Sequence, residues 1–158
     1  MIEKMLVFDM DGTIANLYNV NNWLEDIQAH NARPYRIAKP MYDMSALNAI
    51  LIGLKNYGWR IAITSWLAKD STKEYDAEVR KAKTEWLNHY NMPYDELHYY
   101  KYGRTKADAT RNKSTYQILI DDNEQILQGW SLGSTINARE ENVLDKLLEL
   151  LIEEVDAR

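Results

Sequence analysis

The sequence contains no cysteine. This absence excludes disulfide bonds, catalytic thiols and zinc sites built from thiolates. Histidine is scarce as well, because the chain has only His30, His89 and His98, and these lack the close spacing of a metal cluster. We therefore interpret the three histidines as surface or structural residues.

The chain also lacks long hydrophobic runs and an excess of positive charge. No apolar run approaches the length of a membrane span. The first residues lead directly into a strand, without the basic and small-residue flanks of a signal peptide, so we expect a cytoplasmic protein. The formal net charge of -5 argues against a broad basic surface for duplex nucleic acid, although it is compatible with a local basic patch.

Length and composition fit a single globular domain over residues 1–158. With 46% hydrophobic and 27% charged residues, the chain has enough apolar side chains for a core. The segment from Ile14 to Met44 has helical spacing around Trp23 and Ile27, but Arg33-Pro34 and Lys39-Pro40 interrupt regular structure. We predict that residues at about 14–44 form a small helical flap within this domain.

The most informative stretch runs from Met5 to Thr13 and reads Met-Leu-Val-Phe-Asp-Met-Asp-Gly-Thr. Its apolar run predicts a fully buried parallel strand that ends in Asp9 and Asp11. Because successive strand residues face opposite ways, these carboxylates converge only if the backbone turns sharply after Asp9. Gly12 tolerates such a turn, and Thr13 can then hydrogen-bond to the loop.

Two carboxylates held together repel each other unless a positive charge lies between them. Mg²⁺ is the natural candidate, because it prefers oxygen ligands and is commonly held by one or two carboxylates together with a substrate phosphate. An Asp-Gly turn after a core strand, with no ion, is the simpler alternative. An EF-hand loop starting at Asp9 is excluded, since it would need Gly at Ile14 and Glu at Val20.

Strand and helix patterns alternate along the rest of the chain. Further strands are predicted at Trp59–Thr64, Glu96–Tyr100 and Tyr116–Ile120, with a weak fifth near Thr135 and Ile136. Such alternation predicts an α/β fold, in which a parallel sheet carries helices on both faces.

Residues with capping side chains predict where the helices start. Asp43 or Ser45 can cap one helix, Asp70 or Ser71 the next, and Asn137 the C-terminal one. In the helix after Asp70, an apolar stripe is formed by Tyr75, Val79, Ala82, Trp86 and Tyr90. We interpret the charged residues of this helix, Lys83 among them, as a solvated face. The predicted core face of the C-terminal helix is Val143, Leu144, Leu147, Leu148, Leu151 and Val155.

Polar residues follow three of the predicted strands. Asp9 and Asp11 follow the first, Thr64-Ser65 end the second, and Asp121-Asp122 follow the fourth. In sheets of this class, ligands bind beyond the carboxyl ends of the strands, so these side chains should meet at one edge. A lysine is available nearby, either Lys101 in a loop or Lys106 at the start of a helical stretch.

Taken together, Asp9-Met10-Asp11-Gly12-Thr13, Thr64-Ser65, a lysine at a helix start and Asp121-Asp122 resemble the four-motif signature of the haloacid dehalogenase (HAD) superfamily of phosphatases. The resemblance covers the chain from Asp9 to Asp122. It implies a HAD-like Rossmannoid sheet of strand order 3-2-1-4-5. It also favours Lys106 over Lys101, because the third-motif lysine of the family often opens a helix, as Lys106 does after Gly103-Arg104-Thr105.

Phosphoryl transfer needs a nucleophile, charge neutralisation and a proton for the leaving group. Asp9 is suited to nucleophilic attack, and Asp11 to protonating the leaving oxygen and then activating water, and the resemblance implies the same two roles. Thr64 can donate to a phosphoryl oxygen, unless it only satisfies local backbone, and Lys106 would supply fixed positive charge. The predicted catalytic residues are Asp9, Asp11, Thr64 and Lys106. The predicted substrate-binding residues are Thr64, Ser65, Lys106, Gly12 and Thr13.

The predicted metal ligands are Asp9, Asp11, Asp121 and Asp122, with Mg²⁺ as the cofactor. We expect Asp122 to bind directly and Asp121 either directly or through water. In isolation, Asp121 could equally start and cap a helix. The resemblance implies that Asp11 contributes its backbone carbonyl, which leaves its side chain free for proton transfer.

Within the superfamily, the short flap and the Thr-Ser pair are most similar to the 5'(3')-deoxyribonucleotidases, whose cap is larger. We therefore expect a Mg²⁺-dependent phosphomonoester hydrolase that forms an aspartyl-phosphate and acts on nucleotides or other small phosphates. Lys101 and Arg104 could meet phosphates. The aromatic residues that could stack on a nucleobase, or simply pack helix ends and the sheet edge, are Tyr18, Trp23, Trp66, Tyr99, Tyr100 and Tyr102.

Two alternatives remain open. A weakly capped site could admit a polynucleotide end or a phosphoprotein, and a chain with this fold could bind phosphate without catalysis. The sequence predicts no membrane partner.

Overall fold

A parallel sheet lies at the centre of the structure, a computed structural model that describes residues 3–114 and 116–158. Its strand order is 3-2-1-4-5, and every neighbouring pair is parallel. The strands are β1 (Lys4–Phe8), β2 (Trp59–Trp66), β3 (Glu96–Tyr100), β4 (Tyr116–Asp121) and β5 (Gly133–Asn137). The predicted α/β class and strand order are confirmed.

Helices connect the strands and follow the last one. They are α1 (Trp23–Gln28), α2 (Arg33–Ile37), α3 (Met44–Asn56), α4 (Lys73–His89), α5 (Ala107–Thr110), α6 (Glu124–Gln128) and α7 (Val143–Asp156). A 3₁₀ turn at Leu17–Asn19 precedes α1. Within the described residues, no helix has the length and apolarity that crossing a membrane requires.

Buried apolar side chains cover both faces of the sheet. On one face, Leu6 and Phe8 of β1 pack with α3, α7 and the end of α4. On the other face, Met5 and Val7 pack with Leu127 of α6. Burial of alternate residues on opposite faces explains why β1 reads as a continuous apolar run.

Of the three helix caps that the sequence predicts, one is correct and two are wrong. Asp43 caps α3 by accepting a hydrogen bond from the N–H of Ala46, as predicted. Thr72, not Asp70 or Ser71, caps α4, and Asp70 instead adopts a left-handed conformation with φ of 54°. Asn142, not Asn137, caps α7, because Asn137 is the last residue of β5.

One further prediction was wrong in part, and one helix was missed. Leu148 and Val155 do not belong to the core, since they are 43% and 49% exposed, while Val143 and Leu147 are buried. The short helix α6, capped by Asn123, was not predicted. Five residues give too little periodicity to distinguish a helix from a turn.

The flap segment packs against α4. Ala32 and Tyr35 at α2 are buried in a cluster with Tyr75, Val79 and Ala82. The two ends of residues 14–44 are also joined to each other, because the N–H groups of Asn16 and Met41 donate to the carbonyls of Lys39 and Ile14.

The parallel register brings the polar strand ends to one level. Phe8 of β1 pairs with Ile63 of β2 and with Ile120 of β4. One position beyond these pairs stand Asp9, Thr64 and Asp121, and alternation directs their side chains to the face that holds Val7. Three residues far apart in sequence thus become neighbours.

Asp95, the residue before the edge strand β3, tests which hydrogen bonds hold that strand in place. Its carboxylate accepts hydrogen bonds of 2.8 Å from the N–H of Ile61 and from Nζ of Lys55. Burial raises the pKa of Asp95, but these bonds outweigh that effect and hold the pKa below its ordinary value of 3.8. We expect Asp95→Asn to lower the free energy of unfolding by about 1 to 2 kcal/mol at neutral pH.

Because the pKa of Asp95 is lowered by folding, its carboxylate stabilises the fold above its ordinary pKa, and this stabilisation is lost as the pH falls through the folded-state pKa. Urea unfolding at a series of pH values therefore should show the difference between wild type and Asp95→Asn shrinking in acid. Asp156→Asn, at an exposed position, serves as the control. A difference that does not change with pH would contradict this explanation.

Candidate active site

Asp9 stands at the carboxyl end of β1 and is nearly buried, with 6% of its surface exposed. Its Oδ1 accepts a hydrogen bond of 2.6 Å from Nζ of Lys106, and its Oδ2 accepts one of 3.0 Å from Oγ1 of Thr13. Both carboxylate oxygens are therefore held in fixed positions at the sheet edge.

A tight loop follows Asp9. The carbonyl of Met10 accepts from the N–H groups of Thr13, Ile14 and Ala15, and Gly12 has φ of +80°. A Cβ at Gly12 would overlap with Oδ2 of Asp122 and lie 2.7 Å from Cε2 of Tyr18. Glycine is required here by conformation and by the close approach of Asp122.

Asp121 and Asp122 bring two more carboxylates to the same place. Oδ2 of Asp121 accepts a hydrogen bond of 2.8 Å from Lys106, and its Oδ1 accepts from the N–H of Asn123. Oδ1 of Asp122 accepts one of 3.3 Å from Thr13. Asp9, Asp121 and Asp122 each offer an oxygen within 4.8 Å of the others.

The pKa values reflect this crowding. Burial and the charge of Asp9 raise the pKa of Asp122 to about 7. Burial and Asp9 also raise the pKa of Asp121, against the opposing effect of Lys106. Burial lowers the pKa of Lys106, but Asp9 and Asp121 outweigh it and hold that pKa above its usual range. Lys106 is thus a permanent cation among repelling carboxylates.

The donor set fits a divalent cation with oxygen ligands. With Asp11 included, four carboxylates and two lysines, Lys83 and Lys106, meet at the site, which leaves two negative charges when all six groups are ionised. Mg²⁺ would balance this charge and accept carboxylate oxygens from Asp9, Asp121 and Asp122. The side chain of Asp11 lies outside the group of converging oxygens found in the described residues.

Asp11 is instead bound by a lysine from α4. Nζ of Lys83 donates to Oδ2 of Asp11 at 2.9 Å, to Oγ of Ser65 at 2.7 Å and to the carbonyl of Trp66 at 2.8 Å. Lys83 is 0% exposed, so its interpretation as part of a solvated face was wrong. Its spacing was the available signal, since Lys83 follows Val79 by four residues and precedes Trp86 by three on the apolar stripe.

The hydroxyls of Thr64 and Ser65 have different environments. Thr64 is fully buried on the face shared with Asp9, and its Oγ1 has no hydrogen-bond partner among the described residues. Ser65 accepts a bond from Lys83 and lines the cavity described below. Ser65 therefore lines the cavity, whereas Thr64 is not among the residues that line it.

The two candidate lysines differ in position. Lys106, the N-cap residue of α5, is 4% exposed and contacts Asp9 and Asp121. Lys101 is exposed. The structure therefore brings Lys106, and not Lys101, against the carboxylates.

A cavity of about 600 Å³ opens above these groups. Asp9, Asp11, Lys106, Asp121 and Asp122 line its floor. Apolar and aromatic residues from 14–44 form part of the lining, which we call the flap wall, namely Leu17, Tyr18, Trp23, Leu24, Ile27 and Tyr35. The cavity therefore joins a charged floor to a surface suited to an organic group.

Only some of the predicted aromatic residues reach the cavity. Tyr18, Trp23, Trp66 and Tyr102 line it. The hydroxyl of Tyr99 is paired with Thr84 instead, and the ring of Tyr100 lies under the guanidinium of Arg104 at 4.2 Å. The basic residues that line the cavity, apart from Lys106, are Lys69 and Arg139.

No protein-family model and no curated protein matches this chain. Several solved structures match it. The chain is similar to a chain in a structure of the Pnkp1/Rnl/Hen1 complex, with a TM-score of 0.58 and 17% identity, covering 85% of this chain and 45% of that one. A structure of the Pnkp1/Rnl/Hen1 RNA repair complex gives a TM-score of 0.55 and 16% identity, covering 85% and 43%.

A third similar structure is D,D-heptose 1,7-bisphosphate phosphatase from Burkholderia thailandensis. The TM-score is 0.55 with 11% identity, and the match covers 94% of this chain and 99% of that one. This chain spans less than half the length of the two repair-complex chains. At these identities, the likeness shows a shared fold.

The crowding of carboxylates predicts opposite effects of one substitution with and without metal. Without metal, Asp122→Asn should raise the free energy of unfolding by about 1 kcal/mol, because it removes a repelling charge. The same variant should lose most of the increase in melting temperature that Mg²⁺ gives the wild type. Thermal unfolding with EDTA and with Mg²⁺ measures both effects.

The control is Asp108→Asn, an exposed carboxylate outside the cavity, which should keep the response to Mg²⁺. An equal Mg²⁺ response in Asp122→Asn and wild type would contradict the assignment of Asp122 as a ligand.

Proposed function

We propose that this chain is a HAD-type phosphatase, a Mg²⁺-dependent hydrolase of phosphomonoesters that works through an aspartyl-phosphate. One observation carries the proposal: Lys106 bridges Asp9 and Asp121 beside Asp122, on the floor of a cavity wide enough for a phosphate ester. The likeness to a sugar bisphosphate phosphatase over 94% of the chain supports the same reaction class.

The first step transfers the phosphoryl group to Asp9. A carboxylate oxygen of Asp9 attacks phosphorus, the bond from phosphorus to the ester oxygen breaks, and that oxygen takes a proton from Asp11. In the second step Asp11 accepts a proton from water, which attacks the aspartyl-phosphate and releases inorganic phosphate. Asp9 returns as a carboxylate and Asp11 regains its proton, so the cycle closes.

The remaining groups hold the phosphoryl oxygens. Lys106 places a fixed positive charge next to Asp9, which offsets charge on the phosphoryl group. The sequence resemblance suggests that Thr64 donates to a phosphoryl oxygen. Its hydroxyl lies level with Asp9 and has no partner among the described residues, but Thr64 is fully buried and does not line the cavity. Mg²⁺, when held by Asp9, Asp121 and Asp122, would supply further charge neutralisation.

The cavity favours a substrate with an organic ring beside the phosphate. The ring centroids of Tyr18 and Trp23 lie 4.9 Å apart, edge to face, in the flap wall. The centroids of Trp66 and Tyr102, which also line the cavity, lie 5.0 Å apart. Nucleotides and other small aromatic phosphates match this arrangement. A deoxyribonucleotidase-like specificity is the form of the proposal that the sequence resemblance suggests.

A second candidate substrate is the phosphorylated end of a polynucleotide. The likeness to a chain of an RNA repair complex favours it, and so does the exposure of Tyr18 and Tyr102, at 52% and 57%, around an open cavity. A phosphoprotein remains a further outcome of a substrate screen, and a module that binds phosphate without turnover is the non-catalytic alternative.

Asp9→Asn tests the reaction itself. The kcat of the variant should be at least about 1,000-fold lower than that of the wild type, because an amide cannot serve as the nucleophile. Phosphate release from a panel of nucleotides and small phosphates, with Mg²⁺ and with EDTA, is the measurement. Asp70→Asn, at an exposed position with positive φ that suits asparagine, is the matched control.

An active wild type that Asp9→Asn leaves unimpaired would refute the mechanism. Turnover that disappears with EDTA would exclude the non-catalytic alternative, whereas its persistence in EDTA would refute the role of Mg²⁺.

Trp23→Ala tests the substrate class. Loss of one stacking ring should raise KM for a nucleotide about tenfold and leave kcat nearly unchanged, since stacking on an aromatic ring contributes about 1 to 3 kcal/mol per base. A phosphate ester without a ring should be hydrolysed equally well by the variant and the wild type. Tyr57→Ala removes a ring outside the cavity and serves as the control.

End-labelled oligonucleotides assayed beside mononucleotides separate the two candidate substrates. A preference for the mononucleotide supports the first proposal, and a preference for the polymer end replaces it with the second. Equal effects of Trp23→Ala on ring-containing and ring-free substrates would contradict the flap wall as a binding surface.

A further inference from the structure

We infer that Lys83 is a positioning residue, which holds the carboxylate of Asp11 at the leaving-group side of the cavity and away from the metal ligands. The inference rests on the proposed function, since it concerns how the proton donor of that reaction is oriented. Lys83 lies outside all of the sequence motifs discussed above.

All three N–H donors of the Lys83 ammonium group have an acceptor. Its ammonium group has three N–H donors, and three acceptors lie within 2.9 Å of Nζ: Oδ2 of Asp11, Oγ of Ser65 and the carbonyl of Trp66. The ring of Tyr35 in the flap segment lies 5.0 Å from Nζ. Two acceptors belong to the end of β2, so the lysine is anchored to the sheet and presents its remaining donor to Asp11.

Packing of the apolar stripe alone gives no reason for a lysine here. The stripe neighbours Val79 and Trp86 are apolar and buried, and an apolar residue at position 83 would continue that stripe. Burying an ammonium group costs free energy, and replacing a buried ion pair by apolar residues is often neutral or stabilising. A buried lysine at this position is explained if Asp11 needs it.

The carboxylates of the site fall into two groups. Asp9, Asp121 and Asp122 converge within 4.8 Å, as metal ligands do, while Asp11 is bound by Lys83. Both Asp9 and Asp11 still line the cavity. The bond to Lys83 therefore keeps one carboxylate out of the ligand group and facing the place where an ester oxygen would leave.

The test is a comparison of leaving groups in single turnovers, where only transfer to Asp9 is observed. An alkyl phosphate needs a proton from Asp11 on its leaving oxygen, whereas p-nitrophenyl phosphate does not, because nitrophenolate leaves unprotonated. Lys83→Met should slow the alkyl ester about 100-fold and the nitrophenyl ester less than about tenfold. Asp11→Asn should show the same selectivity.

Lys81→Met, an exposed lysine on the same helix, is the matched control and should change neither rate. Combining Lys83→Met with Asp11→Asn completes a double-mutant cycle. If Lys83 acts through Asp11, the double variant should be no slower than Asp11→Asn alone. Equal slowing of both esters by Lys83→Met, or effects that add in the double variant, would overturn the inference.

Crystal structures of wild type and Lys83→Met give a readout that does not depend on activity. The Asp11 side chain should leave its wild-type orientation in the variant, and an unchanged orientation would overturn the inference. A wild type without phosphatase activity would refute the proposed function, while the crystal structures would still decide the role of Lys83. If Lys83→Met does not unfold cooperatively, Lys83→Leu, which also has no hydrogen-bond donor, replaces it in every measurement.

Discussion

The bridge of Lys106 between Asp9 and Asp121 is the interaction on which the site depends. It joins the ends of β1 and β4, two adjacent strands, through bonds of 2.6 and 2.8 Å in a nearly buried position. Without a cation there, two buried carboxylates at one sheet edge would repel each other and favour protonation. The same lysine thus makes the arrangement possible and sets its charge.

The parallel sheet explains how such an arrangement arises from distant residues. Each strand is apolar until its carboxyl end, and the common register places Asp9, Thr64 and Asp121 at one level and on one face. Helices cover both faces of the sheet, so the edge beyond the strands is where charged groups can lie next to water and substrate. The core therefore determines where the charges meet, without contributing a reacting atom.

Much of this follows from sequence, because strands and their polar ends are local patterns. The apolar runs that end at Asp9 and at Asp121-Asp122 predict β1, β4 and the edge of the sheet where their carboxylates meet. Lys83 could not be assigned in the same way, since a lysine at a stripe position has a long side chain that can reach solvent or turn inward. The inward orientation is determined by acceptors from two other segments, namely Ser65, Trp66 and Asp11. The cap at Asn142 was missed for a related reason, because β5 extends to Asn137 through pairing with β4.

The floor and the walls of the cavity differ in how strongly the fold restrains them. The floor is made of buried charged groups whose hydrogen bonds specify their positions, and any shift there would leave a charge unpaired at a large cost. The flap wall and the ring of Tyr102 are partly exposed, with Tyr18, Leu24 and Tyr102 at 52%, 45% and 57%. Apolar contacts tolerate changes of shape far better than buried charges do. In the proposed phosphatase, the floor therefore specifies the reaction. The choice of substrate is assigned to the flap segment and the loop that carries Tyr102, where substitutions change the contact surface without disturbing the charges below.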